Sequence, residues 1–464
     1  MTWRERLIDV RPLRSSRPFR DLWIGSSLSS LGQRIAGVAV LLQVWELTRS
    51  PLWTGAIGLA TAVPLLVLGL VGGSLADAVD RRTLVRATAA GQVLLAAGLV
   101  AQAAAGNRSV LLLLVLVAAQ SGCAALGAPA KRTFPVRLLP ADQVAAGLAL
   151  QNVAFQASML LGPALAGLVL ARWHYPAAYA IQALAALASL VAVVRLPPMA
   201  VLRAGDDRPP GYGGRRERRE RWERRERREH GPARGGWGII LRRPALWGSL
   251  ATDLAATLLA MPIALFPLIN EIRFEGAPQT LGLFLSAIAV GGLGAGLLSG
   301  TVTRLRRGGL VQLLAATVWG LALAGFGLAG PLWLALGCLV LAGAADTVSV
   351  VTRGALVQLE TPDQYRGRVS SVEHVIGVAG PEIGNFRGGL LASLTSAPVA
   401  LVVGGLGAAL AVVTVGLVNR PLRDYRVPPA HEGPPPSEAT APEQAAPGRE
   451  TAPAQAADVT GEPR

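Results

Sequence analysis

Nine polar side chains stand inside stretches of sequence that are otherwise apolar: Gln33, Arg34, Asp253, Asp346, Arg353, Glu373, His374, Glu382 and Arg387. In hydrocarbon such groups are costly unless they face protein, water or a counter-charge, so each is a candidate for carrying a proton or touching a solute. Asp346 and Arg353 are seven residues apart, about 20° off one helical face and ~10 Å apart along the axis. Direct pairing between them needs an intermediary group, which leaves cavity chemistry and structural pairing both open. Glu373 and Arg387 share a face with Gly380 between them, whereas Glu382 points roughly the other way. One face is therefore expected to line a central cavity and the other to meet a neighbouring helix. Glu373 and His374 lie near a helix entrance, where partial exposure is an equally good account. Glu382 is deeper and is the preferred proton carrier of that helix. Its rival is Asp253, a lone carboxylate two turns into another span. Arg34 is placed to pair with a buried acid or to meet an anionic substrate.

A second charged group, Asp77, Asp80, Arg81 and Arg82, follows Gly73 at the end of one apolar run, and another such run begins a few residues later. Charges at a helix mouth reach headgroups and water and are free to pair across a short loop.

The elements that position these residues are apolar blocks of about 20, long enough to span ~30 Å of hydrocarbon as helix. The chain has 464 residues, of which 52% are hydrophobic and 16% charged. A soluble protein of this length carries roughly a quarter charged residues, so the class is an all-α polytopic membrane protein. Twelve spans are expected, at 21–48, 53–77, 84–105, 109–131, 143–171, 176–195, 245–270, 279–303, 309–329, 332–357, 368–394 and 397–418. The first is too long for a cleavable signal and is expected to be retained.

The net charge of +15 is topological rather than a nucleic-acid footprint. Arginines flank the spans and concentrate in alternate loops, and the positive-inside rule then puts both ends in the cytoplasm. An even number of spans gives the same answer independently. Residues 196–244 form a charged linker with an Arg/Glu triplet rhythm, expected to be solvated or drawn to anionic lipid. The segment 419–464, rich in Pro, Ala, Glu and Gly, is expected to be disordered. The domain plan is a cytoplasmic segment 1–20, a six-helix bundle 21–195, the linker, a second bundle 245–418 and the tail. Gln151-Asn152 with 161–168, and Glu373-His374 with 383–390, align at one constant offset, as two related halves would. Cys123 and Cys338 fit neither a disulfide framework nor a metal site. No phosphate-binding loop and no nucleophile elbow occurs, so neither ATP hydrolysis, enzymatic chemistry nor a cofactor is expected.

The 73–82 segment resembles the loop between helices two and three of the major facilitator superfamily at Gly73, Leu75, Asp77, Arg81 and Arg82. It departs at Ala78, where a basic residue is usual, and at Asp80, where glycine is usual. The stretch from Gly343 through Asp346, Arg353, Gln358-Leu359 and Thr361-Pro362-Asp363 to Arg366-Gly367-Arg368 resembles the branch of enterobactin exporters, macrolide efflux pumps and transmembrane secretion effectors. Ser158, Gly162, Pro163 and Gly167 resemble a small-residue version of the helix-five motif of superfamily antiporters. The resemblance implies two six-helix bundles working by alternating access, without a metal or other cofactor, and as a monomer. It also implies an inner gate in which Asp77 meets the start of helix eleven near Arg366 and Arg368. The expected activity is export of small amphipathic molecules in exchange for protons. A proton-coupled importer and a non-transporting receptor or scaffold are the alternatives. Gln33 stands where many relatives have an acid, so the proton is expected to ride elsewhere.

Overall fold

The computed structural model describes residues 9–78, 81–132, 134–196, 234–298, 307–362 and 365–426, and every statement below concerns these. Twelve membrane-spanning helices follow one another: α1 (Arg17–Thr48), α2 (Pro51–Ala78), α3 (Arg81–Ala104), α4 (Val110–Arg132), α5 and α6, α7 (Pro244–Ala260, continued by Phe266–Arg273), α8 (Pro278–Leu297), α9 (Gly308–Leu328), α10 (Leu332–Glu360), α11 (Arg366–Leu394) and α12 (Ala397–Val418). α5 and α6 are the two limbs of the helical run Val144–Val194, which turns back at His174, where φ is 58° and ψ −167°.

Nine helical runs among the described residues are long and apolar enough to cross a membrane on hydropathy alone. The 51-residue run of α5 and α6 is one of them and supplies two spans. α1 and α11 fall short of the apolar threshold because they carry charges. Of those charges, Arg34, Glu373, Glu382 and Arg387 face protein or the cavity, where lipid does not have to solvate them.

α7 is not the continuous span expected over 245–270. It stops at Ala260, is broken by an extended Met261 followed by Pro262, and restarts after a 3₁₀ turn at Ile263–Leu265. Proline cannot donate to the helical ladder, so the break strands backbone groups that α11 then satisfies. Arg387 Nε donates to the Leu258 carbonyl at 2.8 Å and its Nη2 to that of Leu259. Asn385 Oδ1 accepts from the Ala264 N–H at 3.2 Å. On the far limb of α7, Phe266 sits edge-on to Phe284 of α8 and Phe326 of α9, with ring centroids 5.5 and 5.4 Å apart. Edge-to-face rings add to area burial, and they anchor the restarted limb.

Two helix pairs join α1–α6 to α7–α12. α2 runs antiparallel against α11, with Gly55 and Gly58 on the Glu382–Gly389 segment, and α5 runs against α8, with Pro163 and Gly167 on Gly282 and Pro278–Gln279. A Cβ at Gly58 would collide with the Glu382 carbonyl, and one at Gly282 with that of Pro163. Both approaches lie toward the end where α1 finishes and α2 begins. There Glu271 of α7 accepts from Trp45 and forms an ion pair with Arg49. Ser286 Oγ donates to the Leu160 carbonyl at 3.1 Å and Thr54 Oγ1 to that of Ala264 at 2.9 Å.

The segment after α12 differs from the expected disorder over its first eight residues. Arg420–Arg423 is a short helix capped by Asn419, whose Oδ1 accepts from the Leu422 N–H at 3.0 Å. Asn419 also donates to the Pro244 carbonyl at 2.6 Å, and Leu422 is fully buried. That buried leucine and the paired amide hold the turn against α7. Residues 427–464 and the linker residues 197–233 lie outside the described set. Arg234–Arg242, at the end of the expected linker, is helical.

Candidate functional site

A cavity of about 780 Å³ lies between the two groups of six helices. Its wall from α1–α6 carries Gln33, Arg34, Thr54, Thr61, Gln92, Gln120, Ser121, Gln156, Pro163 and Gln182; its wall from α7–α12 carries Asp346, Thr347, Glu382 and Asn385. A cavity of this volume accommodates a drug-sized molecule. Its two walls differ in chemistry. The first offers five carboxamides and one guanidinium, and the second offers two carboxylates.

Arg34 is seated by a glycine. Its Cβ lies where a Cβ on Gly162 of α5 would have to be, and its guanidinium stands 5.4 Å from the Phe155 ring centroid. Cation–π contact at that distance offsets part of the cost of holding the charge in the membrane. Glu382 faces Arg34 electrostatically and bonds to Asn385 on its own helix. Neither Asp346 nor Glu382 forms an ion pair with another described residue.

Asp253, Arg353, Glu373 and Arg387 do not line the cavity. Arg353 of α10 forms an ion pair with Asp253 of α7 and lies 3.6 Å from Glu373 of α11. The Arg353 and Asp253 side chains are each 8% exposed and that of Glu373 is 20%. This triad fastens three helices of one half together. Arg353 and Asp346 form no ion pair with each other. Arg353 turns to acids on two crossing helices, and Asp346 turns to the cavity, where the charges of Asp253 and Arg353 still reach it. Arg387 is likewise occupied, by the broken ends of α7. Ser158 is 4% exposed and donates to its own helix at Ala154. Gly162, Pro163 and Gly167 are the surface on which α1 and α8 rest.

Gly73 and Asp77 belong to the last turns of α2, Arg81 and Arg82 open α3, and Arg366 and Arg368 open α11. Their side chains and that of His374, with the whole of Asp80, lie outside the described set.

Reading the sequence missed the glutamines Gln92, Gln120, Gln156 and Gln182, together with Asn385 and the Trp45–Arg49–Glu271 contact. A signal for the first group was present. A primary amide within an apolar run carries the same demand for a partner as a charge, only smaller.

Twelve helices in two sets of six, with a cavity between them whose apolar lining is set with polar groups, define a secondary transporter fold. The sequence profile of the Major Facilitator Superfamily matches residues 22–372, and the chain belongs to that superfamily. It is 26% identical to the "Enterobactin exporter EntS" of Citrobacter koseri over 427 residues, covering 91% of this chain and 97% of that protein. It is 28% identical over 421 residues to "Uncharacterized MFS-type transporter YfiS" of Bacillus subtilis, covering 88% and 94%. Among solved structures, a bacterial homologue of the iron transporter ferroportin in an inward-facing state superposes with TM-score 0.60 at 19% identity, covering 88% of this chain and 98% of the other. The peptide transporter POT superposes with TM-score 0.67 at 12% identity, covering 88% and 95%. At these identities the solved structures bear on the fold alone. Multi-pass residence in the inner membrane follows from the apolar helices and the superfamily exporters it matches.

Proposed function

We propose that this chain is a secondary active exporter that moves small amphipathic molecules out across the bacterial inner membrane in exchange for protons. The observation that carries the reading is the shared cavity, with two carboxylates on its α7–α12 wall that have no ion-pair partner among the described residues. A carboxylate already paired has little to gain from a proton, whereas an unpaired one is neutralised by it and crosses the occluded state at lower cost. Glu382 is therefore the coupling residue, with Asp346 second, and Asp253 is relieved of that role by Arg353. Efflux among the matched relatives favours export over the importer reading, and retention of the cavity charges favours transport over a receptor or scaffold.

With both termini cytoplasmic, as the arginine distribution supports, the tight α2–α11 and α5–α8 ends lie on the outer face, and the conformation described is closed to the outside. Residues 21–195 and 245–418 then act as the two rocking bundles, joined by the charged linker. One chain supplies the whole cavity, so the unit of transport is a monomer. In the opposite state Asp77 closes the inner mouth against the amino-terminal end of α11, where a carboxylate is favoured by the helix dipole.

Uptake by inverted membrane vesicles, over a compound panel with and without a proton gradient, tests the function. Gradient-dependent uptake of at least one amphipathic compound is expected. Uptake in right-side-out vesicles alone would return the importer reading. In the same assay Asp77→Asn lowers turnover about tenfold while equilibrium binding stays within a few-fold; normal turnover would reduce Asp77 to a membrane anchor.

A further inference from the structure

Asn385 of α11 stands between the carboxyl group of Glu382 and the break in α7. Ala264 lies in the first turn after that break, where amide N–H groups have no partner in the helical ladder. Asn385 Oδ1 accepts the Ala264 N–H at 3.2 Å. The donor of the same amide, Nδ2, is left for Glu382, its hydrogen-bond partner one turn back on α11. Both ends of this buried amide are therefore assigned by its neighbours.

Ala264 is held from the other side as well. Its carbonyl accepts from Thr54 Oγ1 of α2 at 2.9 Å, across the boundary between the two sets of six helices. Thr54 is 1% exposed, and its hydroxyl also lies 2.8 Å from the Pro51 carbonyl on its own helix. The single hydroxyl hydrogen can serve either acceptor. When α2 leaves α7 the bond passes to Pro51, so the contact opens without stranding a buried donor. Gly58, four residues on along the same face of α2, rests on the Glu382 backbone.

Ionised Glu382 only accepts, and it and the Ala264 N–H ask the amide for opposite ends. Protonated Glu382 donates as well. The acceptor within its reach is the Oδ1 already given to Ala264, while Nδ2 loses the charge that held it. Resting on the reading of Glu382 as the coupling residue, we infer that Asn385 is the positioning residue that ties the proton on Glu382 to the outer closure. The ionised carboxylate fixes the amide, the amide fixes the α7 turn, and Ala264 holds α2 through Thr54. Protonation releases the amide and with it the turn. An empty, ionised exchanger is thereby kept from crossing, which keeps the two fluxes coupled.

The charged groups around Glu382 are Arg34 of α1 and, on the same cavity wall, Asp346 of α10. α2 meets it through Gly58, and α7 meets the neighbouring Gly384 through Thr257 and Met261, none of which titrates. The triad of Asp253, Arg353 and Glu373 lies two to three turns away. At the outer closure the ion pair is Arg49 with Glu271.

External thiol labelling of Ile57→Cys, a cavity-lining position one turn inside Thr54, tests the relay on the full chain with Cys123→Ala and Cys338→Ala, in right-side-out vesicles at equal pH on both faces. Rates are divided by those of Arg108→Cys, an exposed position in the loop after α3, which cancels the titration of the thiol itself. With Glu382, Asn385 and Thr54 intact, the corrected rate is expected to rise about tenfold from about pH 9 to about pH 5. Glu382→Gln and Asn385→Leu are each expected to label at the fast rate at both pH values, and the double variant no faster than either. At the far end of the relay Thr54→Val is expected to flatten the step, whereas Thr54→Ser, which keeps the hydroxyl, retains it; this pair decides the matter should Asn385→Leu fail to fold. Absence of a step with the relay intact, or a step that survives Asn385→Leu or Thr54→Val, would overturn the inference. A step that survives Glu382→Gln would overturn it too and assign the titration to Asp346 or Glu271. The export reading outlives each of these failures if a compound of the vesicle panel is still carried by the proton gradient, and falls if none is, whatever the labelling shows.

Discussion

α10 and α11 each contribute acidic or basic groups to two regions that lie two to three helical turns apart, and the regions treat charge in opposite ways. In the triad, Arg353 binds Asp253 and approaches Glu373 with all three side chains largely buried. In the cavity, Glu382 has the Asn385 amide and the field of Arg34, Asp346 has the fields of Asp253 and Arg353, and neither forms an ion pair with another described residue. Burial is common to both, so burial does not separate the charges fixed in the fold from those proposed for transport. Compensation does. A charge whose partner is built into the fold is fixed, and one whose partner is missing is available for a proton or a solute.

The sharpest way to break this contrast is to remove the shared guanidinium. Arg353→Met leaves two carboxylates uncompensated inside the half formed by α7–α12 and is expected to destabilise the protein by about 3–5 kcal/mol. It would show as loss of the monodisperse peak in detergent and a lower unfolding temperature. The triple replacement Asp253→Asn, Arg353→Met, Glu373→Gln is expected to recover most of that loss, because no lone charge remains. A triad that carried the proton would instead leave the single variant folded and uncoupled.

A smaller effect is expected at Arg387, whose guanidinium caps the two carbonyls freed by the break at Met261-Pro262. Arg387→Met should cost about 2–3 kcal/mol, as charged hydrogen bonds do, with Arg387→Lys intermediate. Unfolding in a denaturing detergent series measures both. A fully stable Arg387→Met variant would mean that water satisfies the α7 break.

The smallest effect belongs to the contact between halves at Glu271. The Arg49 and Glu271 side chains are 58% and 42% exposed, so the pair contributes no more than about 1 kcal/mol. Arg49 also holds a left-handed conformation, with φ 49°, as the C-cap of α1, a position that suits glycine better. Arg49→Gln is therefore expected to shift the outer closure by no more than about fivefold, seen as faster external labelling of Thr54→Cys. A larger change would make this contact the main latch.

Much of this was legible before any coordinates. The spans followed from apolar blocks between arginine-bearing loops, and the charged residues of the cavity wall, Arg34, Asp346 and Glu382, were among the candidates. Their partners were not. Asp346 and Arg353 share a face of one helix, yet the crossing of α7 and α11 over α10 decides that Arg353 binds Asp253 and Glu373 while Asp346 is left to the cavity. Helical spacing describes one helix and is silent about which neighbour crosses it. Likewise the span expected over 245–270 was read as continuous although Pro262 lies in it, and only the packing of α11 places Arg387 and Asn385 over the stranded groups. The cavity glutamines passed unnoticed because a neutral amide does not interrupt an apolar pattern as a charge does.

Parallel measurement of uphill export and of downhill counterflow in proteoliposomes, for Glu382→Gln and Asp253→Asn, tests the division of labour most directly. The compound is the one carried in the vesicle screen. Glu382→Gln is expected to fold normally, to lose accumulation driven by the proton gradient and to keep counterflow within a few-fold of the unmodified protein. Asp253→Asn is expected to lose stability, and what remains folded should stay coupled to the gradient. The reverse pattern, coupling lost at Asp253 and intact at Glu382, would contradict the assignment of the paired acids to structure and the unpaired acids to transport.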